Sequence, residues 1–323
     1  MPHAIEVSRP GGPEVLRWTA IEVGEPGPGE VCIAQRAAGL NFIDVYHRTG
    51  AYPLPLPFIP GVEGAGVVEA LGAGVTGFAP GDRVAYAGPI GGYAEARLIA
   101  ADRLVKLPET IEFDQAAAMM LQGMTVQMLL RSVYRVKAGD TILVHAAAGG
   151  VGLILCQWAA ALGATVIGTV STKSKADLAH AHGCHHPILY TEQDFVAEVA
   201  RITGGDRVPV VYDSVGRDTF LRSFDCLRPR GIMVSFGQSS GAIDPFPPAI
   251  LAQKGSLFLT RPTLYTYIAD PAELQASAND LFDVVASGKV TIEIGQRFAL
   301  ANAAEAHRAL EARDTTGSTV LTI

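Results

Sequence analysis

A glycine-rich turn in the middle of the chain has the residue types and spacing of a phosphate-binding site. The segment Thr141–Gly163 reads TILVHAAAGGVGLILCQWAAALG. Its apolar pattern predicts a buried strand at Thr141–His145 and a helix at Val151–Leu162, with the helix N-terminus at Gly149 and Gly150. Free amide groups and the positive end of the helix dipole then point at one spot that suits a pyrophosphate.

The spacing of the small residues in this turn matches a dinucleotide-binding fingerprint. The pattern G-x-G-x-x-G occurs here as Ala147-x-Gly149-x-x-Gly152, with alanine in place of the first glycine. Gly149 would admit the phosphates, and Gly152 would let helix and strand pack closely. A tight turn between two core elements is the alternative interpretation, and the flanking strand and helix favour the dinucleotide site.

The residues after the next predicted strand indicate which dinucleotide binds. A fold that prefers NAD usually carries Asp or Glu about 20 residues after the fingerprint. Here the strand Thr165–Val170 is followed by Ser171, Thr172, Lys173, Ser174 and Lys175. Hydroxyl and ammonium groups suit a 2′-phosphate, so we expect NADPH as the cofactor. The alternative is that both lysines are solvated charges at a helix start.

A cluster of histidines follows that helix and has the residue types of a metal site. The sequence His180-x-His182-x-Cys184-His185-His186 places several possible ligands together. The predicted helix Lys175–His182 ends at Gly183, where histidines face the negative end of the helix dipole. We therefore interpret the cluster as a helix end and loop and predict no metal. The four cysteines form no C-x-x-C pair and are expected to be reduced and mostly buried.

Strands and helices alternate around these motifs. Further strands are predicted at Ile188–Tyr190, Val208–Asp213, Gly231–Phe236 and Ser256–Thr260, with helices at Phe195–Thr203 and Asp218–Leu227. This order predicts an α/β fold with a doubly wound, six-stranded parallel sheet that binds its ligand at the carboxyl ends of the strands. Gly, Ser and Thr are frequent at those ends, although ordinary loops favour the same residues.

The first 120 or so residues have a different pattern. Short strand-like segments are punctuated by Gly and Pro at Val31–Ala38, Gly64–Leu71, Arg83–Ala87 and Tyr93–Ile99. They predict a separate, mostly antiparallel, barrel-like domain. After about Pro262 we expect helices near Glu273–Ser287 and Ala301–Glu311, and strands at Gln296–Leu300 and Ser318–Ile323, in a tail that returns to this first domain.

Composition and charge narrow the class of protein. The chain has 323 residues, of which 49% are hydrophobic and 18% charged, enough for two domains with substantial cores. A net charge of −7 argues against general binding to nucleic acid or to anionic membranes. The opening MPHAIEVSRP has no apolar signal core, and the longest apolar segment is interrupted, so we expect a cytoplasmic protein without a membrane partner.

Six segments together resemble one known family. They are GGPEVL (Gly11–Leu16), AAGLNFIDVYHRTGAYP (Ala37–Pro53), PGVEGAGVV (Pro60–Val68), HAAAGGVG (His145–Gly152), VYDSVG (Val211–Gly216) and VSFGQSSG (Val234–Gly241). In order and spacing they are similar to the zinc-free quinone oxidoreductase branch, related to zeta-crystallin, of the medium-chain dehydrogenase/reductase superfamily, and most like its bacterial NADPH:quinone reductases. The resemblance implies a GroES-like catalytic domain at 1–124, completed by 263–323, a Rossmann domain at 125–262, and commonly a homodimer.

The same resemblance shows where a zinc site is missing. Zinc-dependent alcohol dehydrogenases of this superfamily have a Cys and a His where this chain has Asn41 and Val62, and the four-cysteine structural zinc loop is absent. A zinc site of the usual nitrogen and sulfur type cannot form from these residues. The substrate should then accept a hydride without a Lewis acid, and a quinone does so because its reduction restores an aromatic ring.

The resemblance also implies the cofactor contacts. The nicotinamide is expected in the cleft between domains near Asn41, Phe42, Tyr46 and Thr125, and the pyrophosphate at Gly149, Gly150 and Val151. Lys175 and Tyr190 match family positions at the 2′-phosphate, where the residue types after the strand also place Ser171 and Thr172. Arg313 matches a position that reaches the adenosine phosphate. Ser171 stands where relatives often have glycine. Strand-end contacts are expected from Ser214, Phe236, Gly237, Gln238, Ser239, Gly241 and Arg261. Core packing is the alternative role of Phe236 and Phe258.

Three side chains in the segment that replaces the zinc site are candidate donors to a quinone oxygen, namely Asn41, Tyr46 and Tyr52. Tyr52 has two other interpretations, as a rim residue that stacks on the substrate or as loop packing, and His47 is a further candidate. Reduction of an activated carbon–carbon double bond in an enone is the alternative reaction. A non-enzymatic NADPH-binding protein is the remaining alternative, and the acidic charge disfavours its nucleic-acid form.

Overall fold

The chain divides into two compact units. The computed structural model describes every residue, Met1–Ile323. The first unit comprises Met1–Met124, Ile268–Ala286 and Ile292–Ile323, and the second comprises Thr125–Tyr267 and Ser287–Thr291. The return to the first unit thus lies at Ile268 rather than at residue 263. The segment Ser287–Thr291 belongs to the second unit because the Gln157 side chain bonds to both the N–H and the carbonyl of Thr291.

Fifteen strands are present. They are β1 (His3–Val7), β2 (Leu16–Ala20), β3 (Glu30–Leu40), β4 (Glu63–Leu71), β5 (Arg83–Ala87), β6 (Ala96–Ala100), β7 (Val105–Lys106), β8 (Thr141–Val144), β9 (Thr165–Val170), β10 (His186–Leu189), β11 (Val208–Asp213), β12 (Leu227–Ser235), β13 (Phe258–Thr260), β14 (Ile294–Ala299) and β15 (Ser318–Thr322).

Eleven α-helices accompany the strands. They are α1 (Phe42–Thr49), α2 (Phe113–Ala117), α3 (Met120–Met128), α4 (Gly150–Ala161), α5 (Lys173–Ala181), α6 (Phe195–Ile202), α7 (Phe220–Ser223), α8 (Ala249–Gln253), α9 (Leu264–Tyr267), α10 (Pro271–Ala286) and α11 (Ala303–Glu311). No helix combines the length and the apolar character needed to cross a bilayer.

The second unit contains the predicted doubly wound sheet. Its six strands lie in the order β10-β9-β8-β11-β12-β13, and every pairing is parallel. The central strands β8, β9 and β11 are almost continuously apolar because a parallel sheet is covered on both faces. The carboxyl ends of these strands therefore meet at one edge, where the glycine-rich turn lies.

Two predicted strands in this unit, Thr165–Val170 and Val208–Asp213, have the bounds seen in the structure. The predicted helix Asp218–Leu227 is wrong in extent. Only Phe220–Ser223 is α-helical, a tighter turn follows at Phe224–Cys226, and Leu227 begins β12. Phe220, Phe224 and Leu227 all enter the same buried cluster, and the shortened helix turns them toward it.

The first unit is built on a seven-stranded, mostly antiparallel sheet. Its pairing path runs β14-β15-β3-β4-β5-β7, with β6 pairing to β3, and only the β14–β15 pair is parallel. Strand β3 is the centre of this sheet because it pairs with β15, β4 and β6. The tail of the chain therefore lies in the same unit as the N-terminal residues.

The four cysteines are free and buried. Cys32 lies in the first unit, whereas Cys156, Cys184 and Cys226 lie in the second. Burial raises the pKa of the Cys32 and Cys226 thiols above that of an ordinary thiol. The neighbouring Cys184, together with burial, raises the pKa of Cys156. These three groups therefore stay protonated and unreactive at neutral pH.

Candidate cofactor and substrate site

The glycine-rich turn joins β8 to α4 by a tightly wound backbone path. Ala146 has a left-handed φ of 55°, which a non-glycine residue adopts only when the surrounding structure demands it. A Cβ atom on Gly152 would lie 2.3 Å from the Ala146 carbonyl oxygen. Gly152 is therefore needed so that α4 can approach the turn, as the sequence predicts.

Gly149 has the opposite environment. A Cβ atom there would meet only the Ala146 oxygen, at 3.4 Å, and otherwise open space. Gly149 is the N-cap of α4, and no side chain caps this helix. The first amides of α4, from Gly150 and Val151, thus lack a side-chain acceptor and fit the oxygen atoms of a pyrophosphate.

The residues after β9 carry hydroxyl and ammonium groups at the start of α5. Thr172 caps this helix, because its Oγ1 accepts from the Lys175 N–H at 3.3 Å and lies 3.1 Å from Ser174 Oγ. Lys173 is engaged elsewhere, since its Nζ lies 2.5 Å from Asp177 Oδ1. Lys175, Ser171 and Thr172 are the other predicted groups at this strand end.

The histidine cluster at the end of α5 has ordinary structural roles. His180 and His182 each contact a backbone carbonyl through Nδ1, and His185 Nδ1 accepts from the Val166 N–H. No group of three or more His, Cys, Asp or Glu side chains in the structure has the arrangement of a metal site.

The loops after β11 and β12 are joined to each other by hydrogen bonds. The Ser239 N–H donates to the Ser214 carbonyl at 3.1 Å, and the Ser240 N–H donates to the Val215 carbonyl at 2.9 Å. A Cβ on Gly237 would lie 2.7 Å from the Ser214 oxygen, so only glycine allows this approach. The structure therefore brings together Ser214, Gly237 and Ser239, which the sequence assigns to one cofactor edge.

Arg261, which follows β13, is bonded to the end of β12 and to the loop after it. Its guanidinium donates to Ser235 Oγ at 3.0 Å and to Gln238 Oε1 at 2.9 Å. Phe236 is half-buried nearby, whereas Phe258 is 61% exposed on β13. The alternative that Phe258 fills the core is wrong, because β13 is the last strand of the sheet and has no neighbour on that side.

The remaining predicted contacts lie on other elements. Tyr190 is exposed directly after β10, and Thr125 is half-buried within α3. Arg313 is exposed after α11 and has a left-handed φ of 63°.

In the first unit, Asn41 is held by two side chains. Asn41 Nδ2 donates to Glu63 Oε2 at 2.7 Å, and Asn41 Oδ1 accepts from Gln122 Nε2 at 3.1 Å. All three residues are buried, with Glu63 fully so. The orientation of the Asn41 amide is therefore set by its neighbours and not by solvent.

Aromatic side chains cluster on α1, which follows Asn41. The ring centroids of Tyr46 and Tyr52 are 5.1 Å apart, and those of Phe42 and Tyr46 are 6.2 Å apart. His47 contacts Tyr52 edge-on, and burial lowers the pKa of His47, which keeps its ring neutral at pH 7. Tyr46 and Tyr52 are half-buried, and together they provide an aromatic surface and two phenolic hydroxyls.

A second buried network anchors the other face of α1. Asp44 Oδ2 accepts from the Asn41 N–H and from the Tyr93 hydroxyl, both at 2.9 Å. The Tyr93 hydroxyl lies 3.3 Å from His307 Nε2, and Arg48 donates to His307 Nδ1 at 3.0 Å. Because arginine only donates, Nδ1 accepts and the ring proton is on Nε2. This network fixes α1 to α11.

Burial changes the titration of three of these groups. Desolvation raises the pKa of Asp44 to about 7 and that of Glu63 to about 8. Desolvation and the neighbouring Arg48 lower the pKa of His307 to about 3. Asp44 and Glu63 are both partly neutral near pH 7, while His307 is uncharged.

Sequence reasoning did not single out Glu63, Gln122, Asp44 or His307. Gln122 and His307 are far in sequence from the residues that they contact, so no local spacing reveals them. Glu63 does leave a signal, because it is the one charged residue in the otherwise small and apolar run PGVEGAGVV. It directly precedes the strand predicted at Gly64–Leu71, and a charge in such an apolar run indicates a buried polar contact.

Comparison with known proteins agrees with this arrangement. Residues 27–109 match a model described as alcohol dehydrogenase GroES-like domain, and residues 150–280 match one described as zinc-binding dehydrogenase. A quinone oxidoreductase from Pseudomonas aeruginosa is 54% identical over 323 residues, which cover 99% of each chain. The chain belongs to the quinone oxidoreductase family.

Two further members of this group are informative. The crystal structure of Escherichia coli quinone oxidoreductase complexed with NADPH has a TM-score of 0.98 and 48% identity, covering 99% of this chain and 100% of that one. A 2-haloacrylate reductase from a Burkholderia species is 46% identical over 330 residues, covering 99% of each chain. The quinone oxidoreductase branch of the medium-chain dehydrogenase/reductase superfamily, with its GroES-like and Rossmann domains, is thereby confirmed.

The zinc in the description of the second model is not matched by donors in this family member. Val62 has no ligating atom, and Asn41 uses its amide for Glu63 and Gln122. The residues at these two positions therefore do not fit a zinc ion.

Proposed function

We propose that this protein reduces quinones by transfer of a hydride or of electrons from NADPH, without zinc. The observation that carries the proposal is the open, uncapped N-terminus of α4 at Gly149, together with a strand end at β9 that offers hydroxyls and Lys175 and no carboxylate. The full-length similarity to named quinone oxidoreductases supports the choice of substrate.

The residues of the second unit fit NADPH. Gly149, Gly150 and Val151 would hold the pyrophosphate with backbone amides. Ser171, Thr172, Lys175 and Tyr190 would surround the 2′-phosphate. Arg313, which lies in the first unit, stays an expected contact of the adenosine phosphate. The rest of the cofactor would contact the loops after β11, β12 and β13, through Ser214, Phe236, Gly237, Gln238, Ser239, Gly241 and Arg261.

We assign Asn41, Phe42, Tyr46 and Thr125 to the nicotinamide, and Asn41, Tyr46 and Tyr52 to the substrate. When bound, NADPH would supply a hydride, and a proton from a hydrogen-bond donor or from water would complete the conversion of a quinone to its hydroquinone. The protein contributes orientation and the exclusion of water, with Asn41, Tyr46 and Tyr52 as candidate hydrogen-bond donors to a quinone oxygen. The half-buried aromatic surface of Tyr46 and Tyr52 suits a flat ring.

Reduction of an activated carbon–carbon double bond is the second candidate. It is favoured by one specific observation, the 46% identity to a 2-haloacrylate reductase over the whole chain. Both reactions use the same hydride donor and the same absence of zinc ligands.

The test is NADPH oxidation by the purified protein with a panel of quinones and of enones and haloacrylates, with NADH as the control cofactor. We expect the highest kcat/KM with NADPH and a quinone. Faster turnover of the alkenes would support the second candidate. NADPH binding without oxidation by any acceptor would contradict both and indicate a non-enzymatic role.

We further propose that two copies form a homodimer in the cytoplasm. The outer edge of β13 has no partner strand, and Phe258 is exposed beside it, so a second copy would cover this edge. Four reduced, buried cysteines suit a reducing compartment. Sedimentation of the wild type and of Phe258→Asp tests the dimer, and we expect the variant to shift toward monomer.

A further inference from the structure

Glu63 is a buried acid without a positively charged partner. It is 0% exposed, and its two oxygens accept separate hydrogen bonds: Oε2 from Asn41 Nδ2 at 2.7 Å and Oε1 from the Leu121 N–H at 2.8 Å. Space for the carboxylate comes from Gly39 on β3, where a Cβ would lie 2.4 Å from Glu63 Oε2. Both oxygens act as acceptors, which is the arrangement of the ionised acid.

The hydrogen bonds continue beyond Asn41 in one direction. Gln122 Nε2 donates to Asn41 Oδ1 at 3.1 Å, and Ser318 Oγ donates to Gln122 Oε1 at 2.8 Å. Ser318 Oγ also lies 2.8 Å from the Ala118 carbonyl oxygen. Every donor in this series of hydrogen bonds thus points toward Glu63. The Ser318 hydroxyl, which is the last donor, has the Ala118 carbonyl as a second acceptor.

This series of hydrogen bonds has a second possible arrangement, in which every donor points away from Glu63. A protonated Glu63 donates to Asn41 Oδ1, provided that the Asn41 amide turns by 180°. Asn41 Nδ2 then donates to Gln122 Oε1, and a turned Gln122 donates to Ser318 Oγ. Ser318 in turn donates to the Ala118 carbonyl. Apart from the exchange of oxygen and nitrogen in the two turned amides, the heavy atoms keep their places, and each buried group keeps a partner.

We propose that Glu63 is a positioning residue that sets, through this reversible chain, which edge of the Asn41 amide carries its N–H groups. The inference rests on the proposed function in one respect, namely that Asn41 serves as a hydrogen-bond donor at the nicotinamide or the quinone. The ionised arrangement seen in the structure is the active one, and protonation of Glu63 turns the amide away from it.

The surroundings of Glu63 make this reversal accessible near neutral pH. Burial raises the pKa of Glu63 to about 8, and the buried carboxylate of Asp44 on α1 adds to the shift. The other titratable groups that act on this site are Tyr86 on β5 and Tyr93 after it, whose own pKa values are raised by burial. Both tyrosines stay protonated throughout the range in which Glu63 titrates.

The chain offers an unusually simple probe, because it contains only three asparagines, Asn41, Asn279 and Asn302. With asparagine labelled by ¹⁵N, Asn41→Ala identifies the Asn41 side-chain amide signal. We expect that signal to shift between pH 6 and pH 9.5 with a midpoint near 8. Asn279 and Asn302 are exposed and should not shift. A pH-independent Asn41 signal in the wild type would overturn the proposal.

Glu63→Gln tests the same point without titration. The glutamine side chain of this variant accepts from the Leu121 N–H through its oxygen, so its amide nitrogen must donate to Asn41 Oδ1 and lock the reversed arrangement. We expect the Asn41 signal of this variant to stay at the wild-type low-pH position at every pH. Glu69→Gln on the same strand is the control, because Glu69 is exposed and its variant should titrate like the wild type. An unchanged titration in Glu63→Gln would contradict the inference.

Activity provides an independent measurement. We expect kcat/KM for a quinone to fall by about 10-fold as the pH drops through 8 in the wild type, about the effect of one hydrogen bond. Glu63→Gln should show the low value at all pH values. If no acceptor is reduced by the wild type, the proposed function fails, and the amide signal still decides the role of Glu63. If Glu63→Gln does not fold, the wild-type titration decides it alone.

Discussion

At the residue scale, neighbouring side chains of one type have different tasks. Lys173 and Lys175 are two residues apart, yet Lys173 pairs with Asp177 while Lys175 lies beside the capping Thr172. The sequence alone gives both lysines to the cofactor phosphate. The pairing of Lys173 was missed because an exposed ion pair at i, i+4 is indistinguishable in sequence from two solvated charges.

Cofactor choice is therefore expected to depend on Lys175. Lys175→Ala should raise the Kd of NADPH about 10-fold or more, because a charge-assisted bond to the 2′-phosphate is lost, and should leave the Kd of NADH nearly unchanged. Fluorescence titration with each cofactor measures this. Lys173→Ala is the matched control and should affect neither. Equal weakening of both cofactors by Lys175→Ala would remove the assignment of this residue.

Tyr46 on α1 and Tyr52 after it each combine a hydroxyl with an aromatic ring. A substitution by phenylalanine therefore removes the hydrogen-bond donor and keeps the ring. If either hydroxyl donates to the quinone, Tyr46→Phe or Tyr52→Phe lowers kcat by about 10-fold and keeps the ring packing. Steady-state assays with one quinone decide between them. Full activity in both variants would mean that the tyrosines only stack or pack.

At the element scale, two glycines four positions or fewer apart in the junction of β8 and α4 have different roles, one in folding and the other in cofactor binding. Gly152 is required by the close approach of α4 to the Ala146 carbonyl, and Gly149 faces open space. Both glycines belong to one fingerprint in the sequence, and only the structure distinguishes their roles.

Two alanine substitutions test this separation. Gly152→Ala should destabilise the protein by about 1–3 kcal/mol, because its Cβ meets a backbone carbonyl that cannot move freely. Gly149→Ala should leave stability nearly unchanged and weaken NADPH binding. Urea unfolding and cofactor titration of both variants measure the two effects. A stable Gly152→Ala variant with normal binding would show that the helix can shift.

At the scale of the whole molecule, buried acids make stability depend on pH. The folded pKa of Asp44 is about 7, above its ordinary value of 3.8. The folded state therefore binds more protons than the unfolded state between these values, and stability falls as the pH rises through that window. His307, with its pKa lowered to about 3, has the opposite effect below pH 6.5.

We expect the free energy of unfolding to fall between pH 6.5 and 8, where Asp44 and Glu63 lose protons and His307 no longer compensates. Each proton contributes about 1.4 kcal/mol per pH unit. Asp44→Asn should reduce the slope up to pH 7 because it removes one titrating group. Urea unfolding at pH 5.5, 6.5, 7.5 and 8.5 measures the slope. A slope equal to that of the wild type would contradict the buried-acid explanation.

How far the sequence predicts this molecule differs between its parts. Continuous apolar runs bounded by turn residues identify strands such as Val208–Asp213, and the glycine fingerprint identifies the phosphate turn. The surroundings of Asn41 are beyond such reasoning, because Glu63, Gln122 and Ser318 come from three distant segments. The pairing of β3 with β4 and β15 brings Glu63 and Ser318 close to Asn41, and Gln122 reaches it from α3. The local sequence pattern thus predicts individual helices and strands, whereas the polar network around Asn41 depends on tertiary contacts.

The distribution of the buried cysteines makes each unit separately observable. Cys32, which is 9% exposed, reports on the first unit, whereas Cys156, Cys184 and Cys226 are 0% exposed and can be modified only when the second unit opens. Labelling rates under native conditions, resolved by peptide mass spectrometry, would thus report the local opening free energy of each unit. Added NADPH should slow the modification of the three thiols in the nucleotide-binding unit, so the chain carries its own reporters of where the cofactor stabilises it.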